Sequence, residues 1–377
     1  MKYTERYLEM RSVFDPGITF TDLNNTGSKI INIPFTSENV ASGLINNEDI
    51  RVNENISFSY PVFIPPGNKS RKAILLMHGL NERNWTKYLA WAYTLSVETG
   101  SYVILFPLSF HINRTPESWK DPRVMNLLVN ERKSVFGEVM MSNFANIALS
   151  HRLTEDPKRF FCSGYQTACD IVNLMKQIRD GRHKVIPGGS RVNIFAYSIG
   201  AFLAQIMMMG NPEGLFSESK LFIFCGGSVF SNMQGTSRLI MDSLAYQKVH
   251  SFYMNDFEAE INSNSTLAAP AGTSQVVLAF RSMIDLKRLR DYRESTLFRL
   301  KEQICSIALS GDSVIPARGI LSTMGTIFRK KNKAVEVWDF PYPSSHENPF
   351  PVFRNGLSSL VDVSFEKVFA KARSFFA

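Results

Sequence analysis

The chain has 377 residues, 44% apolar and 20% charged, a balance that excludes disordered, collagen-like and coiled-coil proteins. Forty-two Lys and Arg against thirty-four Asp and Glu leave a net charge of +8 spread along the chain, too dilute for a nucleic-acid surface. Twenty-nine Phe and fifteen Met point to a large, partly malleable apolar interior, and the length fits one α/β domain with large insertions. At the N-terminus, Met1 to Phe14 carries scattered charges and no apolar core, unlike a secretory signal. No apolar run reaches the roughly 18 residues a membrane span needs, so the expected address is the cytoplasm. Cys162, Cys169, Cys225 and Cys305 follow no metal spacing and read as reduced structural residues, and neither a metal nor a cofactor is expected.

Taken in chain order, Ile30–Phe35 and Ile56–Ile64 are β-like, so residues 1–70 read as a β-rich extension at a sheet edge. Pro65-Pro66-Gly67 then turns the chain into a series of short apolar runs: Ala73–Met77, Tyr102–Pro107, Val192–Ala196, Leu221–Cys225, Ile304–Leu309 and Val335–Phe340. These runs are nearly continuous rather than alternating, which marks strands buried on both faces of a parallel sheet. Helical patterns lie between them. Trp85–Thr99 has Asn84 as its expected N-cap and Gly100 past its end, and Tyr165–Arg179 carries Ile171, Leu174, Met175 and Ile178 on one stripe. Alternating strand and helix predicts a doubly wound, mostly parallel α/β sheet.

Two connections are too long for simple crossovers. One falls around residues 111–158. The other, residues 230–300, includes the amphipathic stretch Asp285–Gln303 and is expected to form a mainly helical lid over a core made of residues 71–229 and 301–377. The basic run Arg329-Lys330-Lys331-Asn332-Lys333 reads as a solvated loop.

The sharpest local signal is Val192-Asn193-Ile194-Phe195-Ala196-Tyr197-Ser198-Ile199-Gly200, where a buried strand runs directly into a helix with Ser at the junction. Ala196 and Gly200 flank the serine at minus two and plus two, where only small residues avoid a clash across so tight a turn. A packing turn between strand and helix has the same local sequence, so the surroundings decide. Upstream, His78-Gly79-Leu80-Asn81 ends the first parallel strand, with Gly79 and His78 shaping a loop whose backbone N–H can face a developing oxyanion. Downstream, Asp312 follows the strand Ile304–Leu309, where it can orient an imidazole or cap the helix that begins at Pro316. His346 lies in the loop after Val335–Phe340, with Asp339 as an alternative acid.

Strand–His-Gly, elbow Ser, strand-end Asp and late-loop His, in the chain order Ser…Asp…His, resemble the α/β-hydrolase superfamily. The resemblance covers about Lys72 to Ala377 and matches no motif in the first 70 residues or the two long connections. It implies Ser198 as nucleophile, Asp312 as acid and His346 as base, with the Leu80 and Ile199 N–H groups as oxyanion donors. Ala196 departs from the family's usual glycine. No subfamily follows from these motifs, and so no substrate.

The implied activity is hydrolysis of a carboxylic ester, thioester or amide through an acyl-enzyme. An acyltransferase using the same triad, or a non-catalytic binder of a small ligand in the same pocket, fits the same motifs. Gly311-Asp312-Ser313 spells the nucleophile block of another esterase class, but it stands near the C-terminus where that class has it near the start. No Gly-rich phosphate loop precedes a helix, and no His, Cys and Asp cluster has zinc spacing. The Phe- and Met-rich content and the lid insertion suit an apolar acyl group and equally suit packing of the lid onto the core; the expected partner is a small acyl substrate.

Overall fold

The computed structural model describes residues 2–23, 27–38, 47–67, 70–263, 274–331, 335–352 and 356–377. Its sheet is built from β1 (Phe20–Leu23), β2 (Ser28–Thr36), β3 (Ser57–Ile64), β4 (Lys72–Met77), β5 (Tyr102–Leu105), β6 (Arg191–Tyr197), β7 (Leu221–Phe224), β8 (Ile304–Leu309) and β9 (Val335–Trp338). The strands lie in the order β1-β2-β3-β5-β4-β6-β7-β8-β9. β1, β2 and β3 pair antiparallel, as does β3 with β5, and every pair from β5 onward is parallel. This is the doubly wound, mostly parallel α/β sheet that the sequence predicts.

The unbroken apolar strands follow from cover on both faces. In β6, Ile194 and Ala196 pack into one core with Leu75 and Met77 of β4. Phe195 and Tyr197, pointing the other way, join Ile74 and Leu76 in a second core. Helices Arg159–Arg179, Ile199–Gly210 and Ser274–Ser282 contribute to the first core. Helices Tyr3–Val13, Thr86–Thr99 and Ser358–Phe376 contribute to the second.

Local differences from the sequence reading have physical reasons. Tyr3–Val13 is a helix, although its own amphipathic pattern is weak, because Tyr3 and Met10 are buried against helices Thr86–Thr99 and Ser358–Phe376. Helix Thr86–Thr99 begins after Trp85, and Asn84, one residue earlier, accepts the Thr86 N–H at 3.0 Å. Gly100 ends that helix in the left-handed region at φ 62°, as its position suggests. Helix Arg159–Arg179 starts six residues before the predicted Tyr165, and Asp285–Gln303 is helical only over Arg290–Arg299. The basic run Arg329–Lys333 lies outside the described residues and side chains.

The two long connections lie side by side. Residues 111–158 hold helices Pro122–Phe136 and Ile147–Glu155, and residues 230–300 hold Ser243–Ser251, Phe257–Ser263, Ser274–Ser282 and Arg290–Arg299. A buried bidentate pair joins them, Arg132 Nε and Nη2 donating to Asp242 at 2.8 and 2.9 Å, while Asp242 also caps helix Ser243–Ser251. Asn143 and Asn146 add bonds from their side chains to the carbonyls of Arg238 and Ser237, both at 3.0 Å. The segment Ser237–Met241 is thereby held across the carboxyl edge of the sheet. Among the described residues no helix is long and apolar enough to cross a membrane.

Candidate active site

Ser198 stands between the end of β6 and helix Ile199–Gly210 with φ 56° and ψ −125°, a conformation rarely occupied by a residue with a side chain. The close approach that imposes it is visible at two glycines. A Cβ on Gly200 would lie 2.6 Å from the His78 carbonyl oxygen and 2.7 Å from that of Met77. A Cβ on Gly226, just after β7, would lie 2.5 Å from the Ala201 Cβ. Ala196 pairs with Met77 of β4 on one side and Ile223 of β7 on the other in the sheet.

His346 and Asp312 reach this serine from two separate loops. Ser198 Oγ lies 2.7 Å from His346 Nε2, and His346 Nδ1 lies 2.7 Å from Asp312 Oδ2. A carboxylate only accepts, so Nδ1–H donates to Asp312 and the neutral ring leaves Nε2 to accept the serine proton. All three side chains are buried. Asp312 spends its other oxygen on the backbone, Oδ1 accepting the N–H groups of Val314 at 2.9 Å and Ile315 at 2.8 Å. It therefore braces the turn before the helix that starts at Ala317 rather than capping the helix itself. Asp339, the alternative acid, is exposed and accepts from Ser310 Oγ at 2.5 Å, away from the imidazole.

The His78-Gly79-Leu80 turn is closed by side-chain bonds. Leu108 N–H donates to His78 Nε2 at 2.9 Å, so the ring's proton sits on Nδ1 and points to the Gly79 carbonyl at 2.7 Å. Burial holds this histidine neutral, with its pKa lowered to about 3. Gly79 N–H donates to Tyr88 Oη at 2.9 Å, and Tyr88 donates to Glu82 at 2.7 Å. Among the described residues, neither the Leu80 N–H nor the Ile199 N–H, the latter at a helix N-terminus, has an acceptor.

The sequence matches, over residues 41–377, the model of a family described as one of unknown function, DUF6051. The chain belongs to that family. No curated protein matches it. Among solved structures it is similar to the acylaminoacyl peptidase of Pyrococcus horikoshii, with 10% identity and a TM-score of 0.44 over 92% of this chain and 41% of the peptidase. It is also similar to a hyperthermophilic esterase of the archaeon Pyrobaculum calidifontis, with 11% identity and a TM-score of 0.43 over 98% of this chain and 90% of the esterase. A third likeness is to acetyl xylan esterase 1 of Thermoanaerobacterium, with 14% identity and a TM-score of 0.41 over 97% of this chain and 92% of that one. The chain thus spans less than half of the peptidase's length.

In this family member the sequence reading missed the residues that hold His346 in place. Tyr197, next to the serine, donates its hydroxyl proton to the His346 carbonyl, and its ring stacks on the imidazole with centroids 5.6 Å apart. Lys87 donates to the Glu347 carbonyl at 2.8 Å, pairs with Glu82 at 2.5 Å and lies over the Tyr197 ring at 4.7 Å. The Glu347 carboxylate accepts from Ser237 Oγ, and that bond helps hold its pKa below the usual value against the upward push of burial. Only the aromatic residue beside the serine was a signal in the sequence; the partners from residues 82–87 and 237 meet the loop through tertiary contact alone.

Two unlike chambers open at Ser198. One, of about 40 Å³, is apolar and bounded by Phe160, Phe230, Met233 and Ile240. The other, of about 200 Å³, is mixed, with Leu239 and Ile240 in its lining beside the polar Asn81, Glu82, Arg83, His346 and Glu347. No group of three or more His, Cys, Asp or Glu suited to a metal ion occurs among the described residues. The four cysteines are thiols outside any disulfide, and burial pushes those of Cys162 and Cys169 up to about 12 and that of Cys305 up to about 11.

Proposed function

We propose that the chain is a serine hydrolase that cleaves a carboxylic ester through an acyl-enzyme on Ser198. The observation that carries this reading is the continuous hydrogen-bonded chain from Ser198 Oγ through His346 to Asp312, set on a strained turn at a helix N-terminus. Ser198 Oγ attacks the carbonyl carbon while its proton passes to His346 Nε2, and Asp312 steadies the imidazolium. The oxyanion forms beside the Leu80 and Ile199 N–H groups, each donor contributing about 3 kcal/mol to lowering the barrier. Collapse of the intermediate breaks the bond to the leaving alcohol, which takes the proton from Nε2. Water then attacks the acyl-enzyme, gives a proton to His346, and the second collapse returns that proton to Ser198 and frees the acid.

The test is intact-mass analysis after treatment with a fluorophosphonate, wild type beside Ser198→Ala. Wild type is expected to gain one phosphonyl group and to hydrolyse p-nitrophenyl butanoate, and the variant to do neither, with hydrolysis lower by about 10⁴-fold or more. A folded wild type that is neither labelled nor active would overturn the reading.

A further inference from the structure

The two chambers at Ser198 differ in which triad member they meet. His346 borders the larger, mixed chamber and not the apolar one. In the reaction above, the leaving oxygen must receive its proton from His346 Nε2, so it departs on the side that the imidazole faces. That side is bordered by Asn81, Glu82, Arg83 and Glu347, groups that can hydrogen-bond a hydroxylated alcohol. The acyl group is left with the opposite side, the apolar chamber beside Ile199.

A second apolar cavity of about 70 Å³ lies behind, lined by Phe110, Leu149, Phe202 and Phe280 among others. Leu80, Phe160 and Ile199 border both cavities and form the partition between them. Leu80 and Ile199 belong to the backbone turns beside the serine, so Phe160 is the part of the wall contributed purely as a side chain. It comes from the first turn of helix Arg159–Arg179. Its ring centroid lies 5.5 Å from that of Phe230, 5.6 Å from that of Tyr253 and 6.4 Å from that of Phe202. With the ring in place, the front chamber is the smaller of the two, about 40 Å³ against about 70 Å³.

We infer that the substrate is an ester of a short apolar acid with a polar alcohol, and that Phe160 sets the acyl length by standing between the front chamber and the rear cavity. The inference rests on the acyl-enzyme reading above. It assigns a specificity-determining role to a residue that takes no part in the proton transfers.

Two readouts test it on the full chain, with wild type, Phe160→Ala and the milder Phe160→Leu. The first is kcat/KM for glycerol monobutanoate against glycerol mono-octanoate. The second is the rate of Ser198 phosphonylation by fluorophosphonates bearing butyl or octyl chains, which needs no turnover. Wild type is expected to favour the short chain by about tenfold or more in both. Phe160→Ala is expected to raise the octanoate-to-butanoate ratio by about tenfold, and Phe160→Leu by a smaller factor in the same direction. A wild type that favours the long chain, or folded variants with an unchanged ratio, would overturn the inference while leaving the acyl-enzyme intact. A folded wild type that is neither turned over nor phosphonylated would overturn both.

Discussion

The Ser198 turn is held by its own backbone, and the His346 loop is held by other residues' side chains. At the serine, a positive φ and the close approach of Gly200 to two carbonyls leave one conformation that the tight packing of β4, β6 and helix Ile199–Gly210 permits. Around His346, the carbonyls of residues 346 and 347 accept from Tyr197 and Lys87, and Glu347 accepts from Ser237 of the neighbouring connection. A turn fixed by excluded volume fails when an atom is added to it. A loop fixed by hydrogen bonds fails by degrees as donors are removed.

That contrast can be broken or sharpened by substitution. The largest effect is expected where the loop histidine meets its acid. Asp312→Asn keeps an acceptor for the Val314 and Ile315 N–H groups but loses the carboxylate that selects the Nδ1–H tautomer, and kcat should fall about 10⁴-fold with the fold intact, read by ester kinetics beside circular dichroism. Next, Gly200→Ala should lower stability by about 3 kcal/mol in urea unfolding, because its methyl group meets backbone rather than a side chain able to move. A stable Gly200→Ala protein would show that the serine turn is not sterically set.

Acid should loosen the third element of the site, the His78 turn, by a graded route. Burial lowers the pKa of His78 and of its neighbour His111 to about 3, well below the value near 6.5 they regain on unfolding. The unfolded chain therefore binds more protons, and stability falls as pH drops through the window from about 6.5 to about 3, by up to about 1.4 kcal/mol per pH unit for each histidine. Urea unfolding between pH 7 and pH 5 checks this; a midpoint that does not move across that range would contradict it. The smallest effect is expected at the loop's donors. Tyr197→Phe should lower kcat by about tenfold and stability by about 1 kcal/mol, while Lys87→Gln should change kcat only a few-fold. Equal and complete loss of activity in both variants would mean that the loop is as rigidly determined as the turn.

The same division decides what was legible in the sequence. The parallel strands β4 to β8 could be read to within two residues at either end because burial on both faces writes itself as an unbroken apolar run. The serine turn was legible for an equally local reason, since a strand, a small residue, a serine and a glycine in series leave the chain few ways to proceed. Asp312 and His346 were singled out by their places just after strands and by chain order, and the fold brings them to one serine. Helix Tyr3–Val13 and strand β1 escaped notice because their pattern is weak and their stability comes from what they pack against.

Local sterics and the period of apolar residues, properties of a few neighbouring residues, thus determined the sheet, its two-sided cover and the position of the strained serine. Tertiary structure alone decided that Asp312 rather than Asp339 faces the imidazole, that Tyr197 and Lys87 carry the His346 loop, and that Phe160 divides the apolar space behind Ser198. Those outcomes depend on distances between residues 29 to 260 positions apart, which no local pattern encodes.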